Sequence, residues 1–347
     1  MSLNKEKRRA VIKEILNHIP DKFASIDMRE ISKKTNISTQ SIWRMLKELE
    51  NQGKIVSRKN GKFNEYALKE ELLTLRLPLK EISESDVFSL HVVPFIKDVP
   101  EVVFKNFAYA FTEILNNAIE HSEGSETVIF ITRTDRMLNF IINDNGIGIF
   151  NKIAQALNLE DKKHSVLELA KGKFTSDPKG HTGEGIFFSS KVGDNFFIFS
   201  DGLIFSSKRE DIGLENILFE SHDANIGTSV HFCISMEHKE TVSNVFDSFT
   251  RSPDDYGFSK TTIPVKMLEA GSEMKIFISR SQAKRLLSRV ERFSSIVLDF
   301  EGVDEIGQGF ADEIFRVFKN EHPEIEIFCI KCNNDVEKMI IRVENQL

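Results

Sequence analysis

A chain of 347 residues has room for two or three domains, and its 40% hydrophobic and 29% charged residues are those of a soluble globular protein. It has no apolar run of membrane-spanning length, the charged start MSLNKEKRRAVIKEIL is unlike a secretory leader, and three cysteines cannot build a disulfide framework. A cytoplasmic protein without membrane association is the expectation. The net charge of −7 is uneven: residues 1–70 carry 16 Lys and Arg against 9 Asp and Glu, and the remainder carries 30 against 44. A basic head on an acidic body suggests a local polyanion-binding module, or else a solvated charged surface.

In KEKRRAVIKEILNHI, the apolar residues Val11, Ile12, Ile15, Leu16 and Ile19 have helical spacing. Met28, Ile31 and Thr35 suit a short helix, TNIS reads as a tight turn, and Thr39 can cap a helix running to about Gln52. Ile42, Leu46 and Leu49 line the buried face of that helix, and Gly53 ends it. KIVSRKNGKFNEYAL then sets two strand-like runs around Asn60-Gly61, a hairpin signal. Helix, helix, turn, helix and hairpin over about residues 5–68 resemble a winged helix-turn-helix domain. The resemblance implies that Gln40, Ser41, Arg44 and Lys47 enter the major groove of DNA, with Lys54, Arg58, Lys59 and Lys62 on phosphates. Such domains also dock proteins.

The linker KEELLTLRLPLKEISESDVFSLHVVPFIKDVPE contains Pro78, Pro94 and Pro100 and reads as extended segments packed on the next domain. A helix from about Val102 to His121 turns Phe107, Phe111, Ile114, Leu115 and Ala118 to a core and sets Glu113 and Asn117 on one face. Alone, that pair also fits a solvated helix. Runs 127–133 and 137–143 look like adjacent strands joined at Asp135-Arg136, delivering Asp144 to a loop with Gly146 and Gly148. Gly180, Gly183 and Gly185 precede an apolar helix near Ile186, the arrangement that seats phosphate on free N–H groups. Gly227-Thr228 enters a last strand.

E-x-x-x-N, D-x-G-x-G, G-x-x-G-x-G and G-T, in that order over about residues 75–235, resemble the Bergerat-fold (GHKL) ATP-binding domain of gyrase, the large heat-shock chaperones, mismatch-repair MutL and histidine kinases. The resemblance implies ATP and Mg²⁺ as cofactors. Asn117 would hold the metal, and Glu113 would orient and deprotonate water in the manner of the hydrolysing members. Asp144 would accept the adenine amino group with Thr228 beside it, and Gly146 and Gly148 would shape the base pocket. Gly183, Glu184 and Gly185 would cradle phosphates. Segment 150–182 would be a lid, with Lys171, Lys173, Lys179 and His181 near the phosphate turn. Lys173 or His181 is expected on phosphate, with a solvated basic loop as the alternative. The nine histidines sit in no helical hairpin ahead of this domain, which disfavours a sensor histidine kinase. A serine kinase of the anti-sigma type stays open.

From about residue 260, TTIPVKML is strand-like and SRSQAKRLLSRVERF a helix, with Ser279 or Ser281 as cap and Ala283, Leu286, Leu287 and Val290 inward. SSIVLDFEGV and EIEIFCI read as strands, and GQGFADEIFRVFKNEH and DVEKMIIRVENQL as helices. IVLDFEGVDEIGQGFADEIF resembles STAS domains, and most closely the STAS-like domain of unknown function that often follows such ATPases. Phospho-switched members carry a hydroxyl where this chain has Gly307-Gln308-Gly309. Asp312 and Glu313 suit a helix N-terminus. Arg280, Lys284, Arg285 and Arg289 form a solvated or partner-binding face. Cys329 and Cys332 read as half-buried strand residues ahead of a metal or redox pair.

The expected fold class is multidomain α+β, with a winged helix over 1–70, an ATP-binding domain over 71–240 and a STAS-like domain over 258–347. The expected function is a nucleotide-responsive DNA-binding transcriptional regulator with slow Mg-dependent hydrolysis, with a possible protein partner and a possible homodimer. A partner-directed serine kinase and a protein-docking scaffold are the alternatives.

Overall fold

The structure, a computed structural model, describes residues 4–174, 183–208, 217–220, 227–250, 257–269 and 276–345. At the N-terminus, α1 (Lys5–His18), α2 (Met28–Thr35) and α3 (Thr39–Asn51) precede an antiparallel hairpin of β1 (Ile55–Asn60) and β2 (Phe63–Leu68). Val11, Ile15, Ile31, Ile42, Leu46 and Tyr66 close a core of their own. The cap of α3 is Ser38, not Thr39. Ser38 is extended and its Oγ accepts from Ser41 N–H at 3.3 Å, whereas Thr39 is already helical. The hairpin pairs Asn60 with Phe63, so its two loop residues are Gly61 and Lys62, one position later than Asn60-Gly61.

The linker is extended only in β3 (Glu71–Pro78). It then turns helical through α4 (Glu84–Val87), a π turn (Phe88–Val92) and α5 (Val93–Ile96), against the expectation of extended chain. Phe88, Val92 and Ile96 are buried at intervals of four, and Pro94 follows the π turn within a continuous helical run, where it has no N–H to give to the preceding turn. Next come α6 (Glu101–His121), β4 (Glu126–Arg133), β5 (Met137–Asp144), α7 (Ile149–Leu157), α8 (His164–Lys171), α9 (Gly185–Ser189), β6 (Asn195–Ser200), β7 (Leu203–Lys208), β8 (Ile217–Glu220), β9 (Thr228–Ser235) and α10 (Val242–Ser248).

These strands form one seven-stranded antiparallel sheet in the order β3-β4-β5-β9-β6-β7-β8. Every second residue of β4, β5 and β9 is buried, the mark of a sheet with one covered face. Helix α6 covers that face. Phe107 meets Phe140 edge-on with centroids 5.3 Å apart, and Phe140 stacks on Phe232 at 5.1 Å. Each such buried ring contributes about 1.5–3 kcal/mol through burial. This packing fixes the angle at which Glu113 and Asn117 leave the opposite flank of α6.

The C-terminal part runs β10 (Lys260–Pro264), a 3-10 turn (Val265–Glu269), β11 (Ile276–Phe277), α11 (Arg280–Leu287), a 3-10 turn (Val290–Arg292), β12 (Ser295–Asp299), β13 (Glu305–Ile306), α12 (Gln308–Asp312), a π turn (Glu313–Phe318), α13 (Lys319–Glu321), β14 (Glu326–Ile330) and α14 (Asn334–Glu344). Strands β10, β12 and β14 form a parallel sheet, and β11 pairs with β13. Ser279 caps α11 in a reciprocal box with Gln282. The helix stops at Leu287 instead of continuing to Phe293, because Arg289 adopts a left-handed φ of 65°. The stretch TTIPVKML is a strand only to Pro264.

A Cβ on Gly307 would lie 2.4 Å from Ile278 Cγ2 and 2.8 Å from Ile278 Cα, so the residue just after β11 leaves no room at Gly307 for a hydroxyl-bearing side chain. Cys329 and Cys332 are free and half-buried, and burial pushes the Cys329 thiol up to about 12. Among the described residues no cluster of three metal-ligating side chains occurs, and no helix is long and apolar enough to cross a membrane. The chain is thus multidomain α+β.

Candidate functional site

β5 ends at Asp144, whose carboxylate is held by backbone donors. Its Oδ1 accepts from Gly146 N–H at 2.9 Å and from Thr228 N–H at 3.2 Å. Burial pushes the Asp144 pKa above the ordinary carboxylate value, and these donors oppose the shift. Thr228 Oγ1 accepts from Ile149 N–H at 3.0 Å, which ties the start of α7 to β9. The backbones meet here without side chains between them. A Cβ on Gly227 would lie 2.0 Å from the Asp144 carbonyl oxygen, and its φ is +89°. Gly227→Ala therefore combines backbone strain with a clash that no rotamer relieves. We expect a loss of about 2–4 kcal/mol, read as a lowered melting temperature of the central domain.

Glu113 and Asn117 of α6 face Asp144 and Thr228 across a cavity of about 360 Å³. Asn117 Nδ2 donates to the Glu113 carbonyl at 2.8 Å, which leaves the amide oxygen as the acceptor end. Glu113 Oε2 lies where a Cβ on Gly185 would be, 2.0 Å away, so the glycine lets the carboxylate approach the start of α9. Glu113 and Glu184 lie close enough to add to the burial that raises the Tyr109 phenol. One part of the cavity is therefore polar, with Glu113, Asn117, Gly183, Glu184 and Gly185. Ile114, Ile142, Ile149, Ile153, Phe174 and Val230 supply an apolar wall.

Of the expected site residues, Glu113, Asn117, Asp144, Gly148, Gly183, Glu184, Gly185 and Thr228 line this one cavity. Gly146 stands behind it as a donor to Asp144. Lys173 turns elsewhere: its Nζ donates to the Arg292 carbonyl at 3.1 Å and lies over the rings of Phe258 and Phe293. Lys171 is buried and paired with Glu168. Lys179 and His181 lie outside the described residues. Lys152 went unanticipated. It lines the cavity, and its Nζ donates to the His121 carbonyl at 2.6 Å and to Glu123 at 3.0 Å. The signal was there, since Lys152 is the one charged residue in the helix IFNKIAQAL.

On α3, Gln40, Arg44 and Lys47 form an exposed stripe, and Trp43 stands among them at 40% exposure. Lys47 Nζ lies 4.1 Å from the centroid of the Trp43 ring. Ser41 is half-buried, its Oγ 3.0 Å from that of Ser38. On the hairpin Lys59 and Lys62 are exposed, whereas Arg58 Nε donates to Glu65 at 2.7 Å and its guanidinium lies over Phe23. Lys54 reaches Asp135 of the β4–β5 turn at 2.7 Å.

Residues 8–56 match the family of winged helix-turn-helix DNA-binding domains, and residues 282–337 match the STAS-like domain of unknown function. Comparison with curated proteins and with solved structures finds no match. The chain therefore carries a DNA-binding domain at one end and a STAS-like domain at the other.

Proposed function

We propose that this chain, with its winged helix and STAS-like domains, is a DNA-binding regulator whose central domain takes Mg-ATP. The observation that carries the reading is the convergence of Glu113, Asn117, Asp144 and the Gly183–Gly185 turn on one cavity. The donor set suits the ligand. The volume is in the range of small-molecule sites, and the apolar wall suits a flat base. Asp144 is a half-buried acceptor for an exocyclic amino group. The Asn117 amide oxygen suits a hard cation. Gly183, at φ +73°, shapes a turn fit for phosphate. Mg-ATP supplies a removable polyanion. Glu113 would accept a proton from water in such a site, and slow hydrolysis would return the chain to its nucleotide-free state.

β5 supports a link to DNA. Asp144 ends it at the cavity, and the turn before its other end grips the winged helix. There Asp135 takes Lys54, while Arg136 reaches Asp21 and the Asn17 carbonyl. Affinity of the full chain for a random-sequence duplex, with and without a non-hydrolysable Mg-ATP analogue, tests the link. We expect a change of about fivefold or more, and equal affinities contradict it. The partner-directed kinase is separated by radiolabelled ATP, which would transfer its label to a protein.

A further inference from the structure

Residues 168–174, a stem inside the segment 150–182 expected as a lid, have two sides. Leu169, Gly172 and Phe174 line the cavity. Glu168, Lys171 and Lys173 turn the other way, toward the C-terminal domain. Lys171 is 2% exposed, yet its three ammonium donors are all used. Its Nζ donates to Glu168 at 2.6 Å, to the Arg285 carbonyl at 3.1 Å and to the Ser288 carbonyl at 2.9 Å. The two carbonyls belong to the C-terminal end of α11, where a cation is favoured. The Lys171 carbonyl in turn accepts from Thr261 Oγ1 at 2.7 Å. Lys173 and Arg292 each donate to the other's carbonyl. Gly172 is clamped between these bonds at φ +80°, and a Cβ there would lie 2.8 Å from both Phe187 and Phe258.

We propose that the C-terminal domain braces the nucleotide site from behind, with Lys171 as the positioning residue through which α11 holds the cavity wall formed by Leu169, Gly172 and Phe174. The inference rests on the nucleotide reading above and goes beyond it by naming the element that links the two domains. An ammonium cannot remain buried without its acceptors, since desolvation costs several kcal/mol. The stem is therefore either seated on α11 with both carbonyl bonds made or released with both lost, while the Glu168 pair travels with it. A ligand that needs the wall tightens the seam, and by reciprocity a protein that grips the C-terminal domain tunes the cavity.

Hydrogen exchange of the full chain, with and without Mg-ATP, tests this. In the wild type, Mg-ATP slows exchange of the backbone amides over 283–292. Lys171→Met alone leaves the buried Glu168 carboxylate with Arg289, at 3.7 Å, as its remaining cation and invites misfolding, so Glu168→Gln with Lys171→Met is the informative variant. It loses the slowing over 283–292, still shows slowing in α6, and binds Mg-ATP about tenfold more weakly. A purely structural lysine would change stability without moving where protection appears. The proposal falls if the double variant keeps wild-type affinity and protection, or if the wild type binds Mg-ATP with no slowing over 283–292. A wild type that binds no Mg-ATP overturns the pocket reading and this inference with it.

Discussion

Asp144→Asn is expected to weaken Mg-ATP binding about 30- to 100-fold while the fold stays intact, a loss of about 2–3 kcal/mol. The amide has the shape of the carboxylate, and its oxygen can still accept from Gly146 and Thr228. Its other end becomes a donor facing the donor of an adenine amino group, so a charge-assisted bond is replaced by an opposition of like groups. Stability should move the other way. Burial raises the Asp144 pKa above its unfolded value. An acid so shifted contributes stability that is lost as pH rises from the ordinary carboxylate range through the folded value. The amide has no charge to bury, so the variant should melt at or above the wild-type temperature near neutral pH. Calorimetric titration and thermal unfolding on the same sample separate the two effects.

Replacing both Arg44 and Lys47 by Ala should weaken duplex binding by about 2–4 kcal/mol, and the loss of two cations from the groove should lower the slope of log affinity against log salt by up to about two. Both side chains are exposed on the same stripe of α3. Arg58→Ala is the internal comparison. Its guanidinium already serves Glu65 and stacks on Phe23, so its removal should cost less than loss of Lys59 or Lys62. Trp43 is the single tryptophan of the chain and lies against Lys47, so its emission reports occupancy of this face without a label. Binding measured at several salt concentrations checks the slope, and binding unchanged in the double variant places the DNA elsewhere.

Much of this organisation is legible from periodicity. The apolar spacing of α6, the alternation of β4 and β5 and their turn at Asp135-Arg136 are all local patterns. So are the order of the glycine turns and the cap at Ser279. What escapes is what depends on a distant partner. Lys171 and Lys173 look like phosphate ligands by charge and position, but α11 and Arg292 claim them from more than a hundred residues away. The helical run at 84–96 is short, and its Pro94 masks the spacing of Phe88, Val92 and Ile96. The break in α11 comes from a left-handed Arg289, for which no glycine or proline gives warning.

The most direct measurement is titration of the purified full chain with Mg-ATP by calorimetry, repeated with the metal chelated. The account predicts saturable binding at one site per chain that weakens sharply without magnesium, and that weakens in Asn117→Ala even with magnesium present. Absence of heat, together with an unchanged melting temperature in saturating Mg-ATP, contradicts it.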